Sequence, residues 1–200
     1  MVVDLGRGKL WLDSGEYEKA KRALEIFLSK EPNSYEGVIT KARVFVKLNQ
    51  TEDAVRYFTK AISLAPRDSS EIYLERSRTL VSGDKIPEAL LALDEGIDKT
   101  GGLVTLQSEA IELELKLGNF DSALARLDRL AAGMPRKEMF LLRRAEVLLQ
   151  AGKPCDARVS LLESQKLYEE LPARKHIRAV KEQIALLNKL LAQTRPKLCG

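Results

Sequence analysis

The residues that could carry chemistry are few and far apart. His176 is the only histidine, and it stands among Arg174, Lys175 and Arg178 with no cysteine at a metal-binding spacing. A hydrolase triad or a zinc site needs an imidazole held beside an orienting or co-ligating partner, so His176 is expected to be a surface side chain. Gly6-Arg7-Gly8 lacks the third glycine of a dinucleotide-binding turn, and no GxxxxGK[ST] phosphate loop occurs. Glu112 and Glu146 recur at equivalent places in the pattern described below, and are expected to be solvated rather than an acid–base pair. No catalytic residue, cofactor or metal site is expected, and the chain does not read as an enzyme.

The two cysteines carry one further expectation. Cys155 begins a helix-length segment and Cys199 lies in the tail beyond the last one. If segments 154–170 and 172–193 pack antiparallel, the second overshoots Cys155 by roughly 9 Å at about 1.5 Å per residue, which Thr194–Leu198 could recover. Spacing alone leaves both a Cys155–Cys199 disulfide and a pair of thiols open.

The elements that would position a site follow from composition and period. The chain has 200 residues, 44% of them hydrophobic, with 12 Gly, 7 Pro and two Cys. That suffices for a core and excludes a disulfide-built mini-fold and a turn-rich all-β fold. No apolar run reaches the roughly 20 residues of a membrane span. The N-terminus Met1–Gly8 shows no signal-peptide pattern. A cytoplasmic protein is the default reading, and an exported one with its signal removed is compatible with the sequence. The formal charge of +4 is unevenly placed: residues 172–200 hold seven Lys/Arg against Glu182, which leaves residues 1–171 at −2.

Helix punctuation recurs along the chain. Gly15, Asn49, Gly83, Gly118 and Gly152 each precede an apolar helical run containing Ala20, Ala54, Ala89, Ala123 or Ala157. These alanines are 34, 35, 34 and 34 residues apart. A small residue at constant phase lets two helices cross closely, so the unit is a helical hairpin. First helices are expected at 2–14, 35–48, 69–82, 104–117 and 138–151. Second helices are expected at 17–30, 51–64, 86–98, 120–132 and 154–170, with an eleventh from Pro172 to Gln193. The eleventh has a stripe of Ile177, Val180, Ile184, Leu187 and Leu191 that would cap an otherwise exposed core face.

A helix–turn–helix period of 34 resembles the tetratricopeptide repeat family over essentially the whole length. Tyr17 and Phe120 match the aromatic after the turn, while Thr51, Ile86 and Pro154 depart from it. Gly8, Ala42 and Ala145 match the small residue of the first helix, and Arg76 and Ile111 depart. Pro32, Pro66 and Pro135 match the terminal proline. Units three and four are the most degenerate, and the extra residue of unit three is read into its Gly83–Pro87 turn. The resemblance implies an all-α, right-handed superhelical solenoid of stacked antiparallel hairpins. Its repeats would be 1–34, 35–68, 69–103, 104–137 and 138–171, followed by a capping helix 172–193 and a tail 194–200. It also implies a non-catalytic protein-interaction scaffold or adaptor that binds a partner's peptide or helix in a concave groove lined by the first helices.

By phase, that groove would have an aliphatic row of Leu12, Val46, Leu80, Leu115 and Leu149. A second row, two turns earlier, would be Leu5, Ile39, Tyr73, Ser108 and Leu142. Between them run Lys9, Arg43, Ser77, Glu112 and Glu146, changing from basic to acidic. Family members that clamp a C-terminal carboxylate do so with Lys, Asn and Arg from three successive units. The corresponding slots of the first three units here hold Leu5, Lys9, Thr40, Ser70 and Leu74, so a chaperone-type carboxylate clamp is not expected. Nucleic-acid or anionic-surface binding through the basic C-terminal helix, and homo-oligomerisation through unit three or the cap, are the alternatives. Cations do not recur at one slot in every unit and aromatics are few, which speaks against a nucleic-acid track. A Cys155–Cys199 bridge predicts that intact-mass measurement under oxidising conditions reads lower than the reduced chain by two hydrogens; an unchanged mass refutes the bridge.

Overall fold

The computed structural model describes residues 2–65, 69–172 and 178–194. Among the described residues there are eleven helices and no strand. They are α1 Val2–Asp13, α2 Tyr17–Lys30, α3 Tyr35–Lys47, α4 Thr51–Leu64, α5 Ser70–Ser82 and α6 Ile86–Thr100, then α7 Val104–Lys116, α8 Phe120–Ala132, α9 Glu138–Gln150, α10 Pro154–Glu169 and α11 Arg178–Gln193. The chain divides into two compact units, 1–110 and 111–200, with the boundary inside α7. His176, Pro66 and Cys199 lie outside the described residues, as does the stretch 173–177 expected to begin the last helix.

Each hairpin is closed by the same turn. One residue takes the left-handed conformation: Gly15 (φ 79°), Asn49 (56°), Asp84 (58°), Gly118 (75°) and Gly152 (71°). Its N–H donates to the carbonyl three residues back, and the next N–H donates to the carbonyl five back. The latter bonds are Glu16 to Trp11, Gln50 to Phe45, Lys85 to Leu80, Asn119 to Glu114 and Lys153 to Leu148, at 2.8–2.9 Å. This is a Schellman cap, which satisfies carbonyls that the helix end would leave unpaired. Five residues after each turn residue stands an alanine, Ala20, Ala54, Ala89, Ala123 or Ala157, and every one is fully buried. The turn and the small-residue crossing therefore share one register.

That register corrects the sequence reading of unit three. Asp84, not Gly83, holds the left-handed position, and Gly83 has φ −97°. Gly83 is a glycine for a different reason: a Cβ there would lie 2.8 Å from Thr51 Cγ2. Helices α3 and α5 are equally long, 13 residues each, but α5 starts 35 positions after α3. The additional residue thus falls between α4 and α5, within 65–69, rather than in the Gly83–Pro87 turn. Every first-helix slot of unit three moves by one. The small-residue slot is Ser77, with no exposed surface, so Arg76 is no departure and Ile111 alone is. In the groove rows Leu74, Arg78 and Val81 replace Tyr73, Ser77 and Leu80, which are all buried.

In unit 1 the cores are small and local. Ala20, Leu24 and Val44 cluster with Leu5, Trp11, Leu12 and Tyr17 packed against them. Val38, Ile39, Ala42, Phe45, Ala54, Phe58, Ala61 and Ile72 form the next. Gly8 and Gly37 allow the close approach of Leu24 and Phe27, where a Cβ would come within 2.8 and 2.6 Å. In unit 2 one larger core runs from Ile111 to Leu187. A buried ion pair, Arg126 Nε to Glu114 Oε1 at 2.8 Å, ties α8 to α7. Helix α11 docks on α10 through Val180 and Leu187, and the Tyr168 hydroxyl donates to Gln183 at 2.7 Å. Burial, with a smaller contribution from the Glu138 charge, pushes the Tyr168 phenol up to about 12, which keeps it a donor. Arg158 donates to the carbonyls of Leu191 and Thr194, closing the C-terminal end of α11. One turn earlier, Cys155 is disulfide-bonded.

The revised register separates two adjacent positions. Asp84→Gly relieves a left-handed L-residue and is expected to raise stability by about 0.5–1 kcal/mol. Gly83→Ala forces Thr51 aside and is expected to cost about 1–3 kcal/mol. Urea denaturation of the two variants checks the pair; the opposite order would restore Gly83 to the turn position.

Candidate partner-binding cleft

The first helices of unit 1 carry an open cleft of about 720 Å³. Leu12, Val46, Tyr17 and Phe58 supply its apolar lining, and Asp13, Arg43, Lys47, Glu75, Arg78, Thr79 and Ser82 its polar part. Of the residues expected from the sequence, the cleft gathers Leu12, Arg43 and Val46. Ile39 and Tyr73 point into the core, Leu5 packs against it and Ser77 is enclosed. Arg43 and Ser77 differ in reach as well as in register, because a long guanidinium side chain can run over apolar surface to solvent and a serine cannot. Lys9 is half-buried beside Glu36, and Ser108 is exposed on α7. In unit 2, Leu142 is buried, and Leu115 and Leu149 are half-buried against the core. The cavity described in unit 2 is lined instead by turn residues, among them Asn119, Phe120, Asp121 and Lys153.

Phase alone missed the partners of the charged row. Lys9, Arg43, Arg78, Glu112 and Glu146 each stand six residues before a left-handed turn residue. Arg43 grips Glu75 with two bonds of 2.9 and 2.6 Å, and Arg78 meets Glu109 at 3.2 and 3.4 Å. Arg143 pairs with Glu112 of the preceding first helix and with Glu146 of its own. Each cross-helix pair joins the sixth residue before one turn to the ninth before the next. Lys9 has Thr40 at that ninth place and reaches one turn farther to Glu36 at 2.6 Å. The hydrogen bond to Glu75 outweighs burial and raises Arg43 above its ordinary value. With Arg78 in place of Ser77 the row runs from basic to acidic, and each member is ion-paired, Glu112 and Glu146 sharing Arg143. A search for opposite charges 31 or 32 residues apart would have revealed the pattern.

The opposite faces repeat the device. Lys41 pairs with Glu25 at 3.5 Å in unit 1, and Arg144 with Asp128 at 3.0 Å in unit 2. Both cations stand eight residues before a turn residue, and both acids ten after the preceding one. Lys85 binds Glu52 at 2.6 Å and Lys153 binds Asp121 at 3.1 Å, both beside the turns. The hydrogen bond from Lys85 holds the Glu52 carboxyl below its usual range. Among the described residues, no group of three or more His, Cys, Asp or Glu could hold a metal ion. No described helix is long and apolar enough to cross a membrane.

Models of the tetratricopeptide repeat match residues 3–34, 35–68 and 109–169, more than half of the chain between them. The chain belongs to the tetratricopeptide repeat family. Tetratricopeptide repeat proteins are in general non-catalytic protein-interaction scaffolds, and this chain has their helical-hairpin fold. The matched stretches leave out 69–108, which holds the shifted unit three. Solved structures agree on the fold. The MamA protein superposes with a TM-score of 0.64 at 16% identity, over 88% of this chain and 95% of that one. YrrB, a TPR protein with an unusual peptide-binding site, gives 0.58 at 13%, over 93% and 89%. A tetratricopeptide repeat protein from Parabacteroides merdae ATCC 43184 gives 0.55 at 17%, over 96% and 83%. No curated protein matches the sequence.

The bidentate, half-buried Arg43–Glu75 pair is expected to show a coupling of about 0.5–1 kcal/mol in a double-mutant cycle of the alanine variants. The coupling should shrink in high salt. The more exposed Lys9–Glu36 pair should couple less strongly under the same conditions.

Proposed function

We propose that this tetratricopeptide repeat protein is a non-catalytic adaptor. It holds a peptide or a short helix of a partner against the first-helix cleft of unit 1. The observation that carries the reading is the cleft's division of labour: Leu12, Tyr17 and Val46 offer apolar surface, while the charges around them are largely spent on one another. A preformed surface of this kind lowers the ordering cost of binding. Lys47 and Asp13 hold no ion pair among the described residues and stand at the edge of the cleft, where they can set the partner's orientation. A peptide-binding site in the structurally similar YrrB is consistent with this use of the fold.

The shifted register bears on the chaperone-type clamp. In unit three, Glu71 and Glu75 stand where Ser70 and Leu74 were placed by the sequence reading. Two acids there disfavour a C-terminal carboxylate further.

Selection of peptides on the purified chain, followed by titration against variants, tests the proposal. Ser82→Arg, which fills the cleft, and Lys47→Glu are each expected to weaken the selected peptides about tenfold or more. Arg56→Glu, exposed on α4, should leave them unchanged. Peptides indifferent to Ser82→Arg and Lys47→Glu would refute the cleft as the binding surface.

A further inference from the structure

Helix α6 carries an outward row unlike those of its neighbours in unit 1. Seven residues after the turn residue, α2 and α4 present Arg22 and Arg56, whereas α6 presents Leu91 at 68% exposure. Glu88, Glu95 and Asp98 share that face, at the helical spacings that place them in line with Leu91. All are exposed, and the nearby base on the helix is Lys99. Leu91 stands over a back-face cleft of about 390 Å³ lined also by Val55, Leu80 and Ala92. Arg76 lines the same cleft. It is 6% exposed and bonded to Glu95, Thr59 and the Ala92 carbonyl, and its Nε–H has no acceptor. Lys85 at the rim is spent on Glu52.

Helix α11 offers the complementary face. With Val180, Ile184, Leu187 and Leu191 turned to the core, Arg178, Lys181, Glu182, Ala185, Leu186 and Lys189 face outward. Its one acid, Glu182, is engaged by Arg178 at 2.8 Å. Laid antiparallel, the two rows match position by position. Glu88 meets Lys189, Leu91 meets the small Ala185 beside Leu186, Glu95 meets Lys181, and Asp98 meets Arg178; Glu95 and Arg178 would share charges already paired with Arg76 and Glu182, while Glu88, Asp98, Lys181 and Lys189 hold no ion pair among the described residues.

We propose that α6 of one copy docks on α11 of a second copy, apolar centre on apolar centre with three flanking opposite-charge pairs. The occupant of the α6 face is thus this chain itself. Because the two halves of the contact are different surfaces, it is head-to-tail, and each copy retains a free half able to take another. The proposal is independent of the first-helix cleft.

Sedimentation velocity over a wide range of concentration, at low and high salt, tests it. The chain is expected to self-associate at low salt and to dissociate as salt screens the pairs. Glu88→Lys with Asp98→Lys, or Lys181→Glu with Lys189→Glu, should each weaken association at least about tenfold. Mixing these two variants should restore a single contact, between the unaltered α6 of one and the unaltered α11 of the other, and so a dimer that does not extend; circular dichroism checks that each variant is folded. A chain that stays monomeric at every concentration overturns the proposal, and so does association that either pair of reversals leaves intact. Failure of the mixture to reassociate overturns it as well. Binding of heparin by a chain that stays monomeric would instead assign α11 to polyanions.

Discussion

Backbone geometry at five turn residues governs much of the molecule. A helix end exposes carbonyls that must find donors, and the Schellman cap supplies them only if one residue adopts a left-handed conformation. That condition fixes where the second helix begins, and so which residues meet at the crossing. The buried alanine five positions on is the packing consequence of the same event. The cross-helix ion pairs inherit the register in turn, running from the sixth residue before one turn to the ninth before the next.

Much of this was legible in the sequence because small residues and glycines are costly to place elsewhere. Ten of the helices were placed to within about two residues at either end, and the alanine period gave the hairpin count. What failed was the assumption that the turn glycine always marks the turn. Gly83 stands next to the left-handed position and is required by Thr51, while Asp84 bears the strained conformation that aspartate tolerates better than most side chains. A single displaced residue rotated unit three's expected lining by one position, enough to exchange buried side chains for exposed ones. Loop length between hairpins has no periodic signature, so nothing in the pattern could locate the insertion outside the turn.

Charge was legible as composition but not as pairing. The basic-to-acidic row is present, yet it exerts little net field, because each member has a counter-charge on a neighbouring helix or its own. Two-body electrostatics between elements a repeat apart depend on the tertiary register, which a single helix phase cannot supply. The apolar cleft of unit 1 therefore owes its character more to shape and to Leu12, Tyr17 and Val46 than to a polar gradient. By the same logic, Glu88 and Asp98 of α6 and Lys181 and Lys189 of α11 stand out: they are exposed and hold no ion pair among the described residues.

The division between turn and ion pair also has a mechanical side. The links that every hairpin shares are short-range and insensitive to salt, a backbone cap and a methyl-sized crossing, and two hairpins add the ion pairs Arg76–Glu95 and Arg126–Glu114. Between neighbouring hairpins, charge pairs on more than one face add links that ions in solution can weaken. The first-helix ion pairs around the cleft of unit 1 are therefore expected to weaken as ionic strength rises, while the caps and crossings hold. The medium can thereby act on the charged rim of the cleft without any residue changing its protonation.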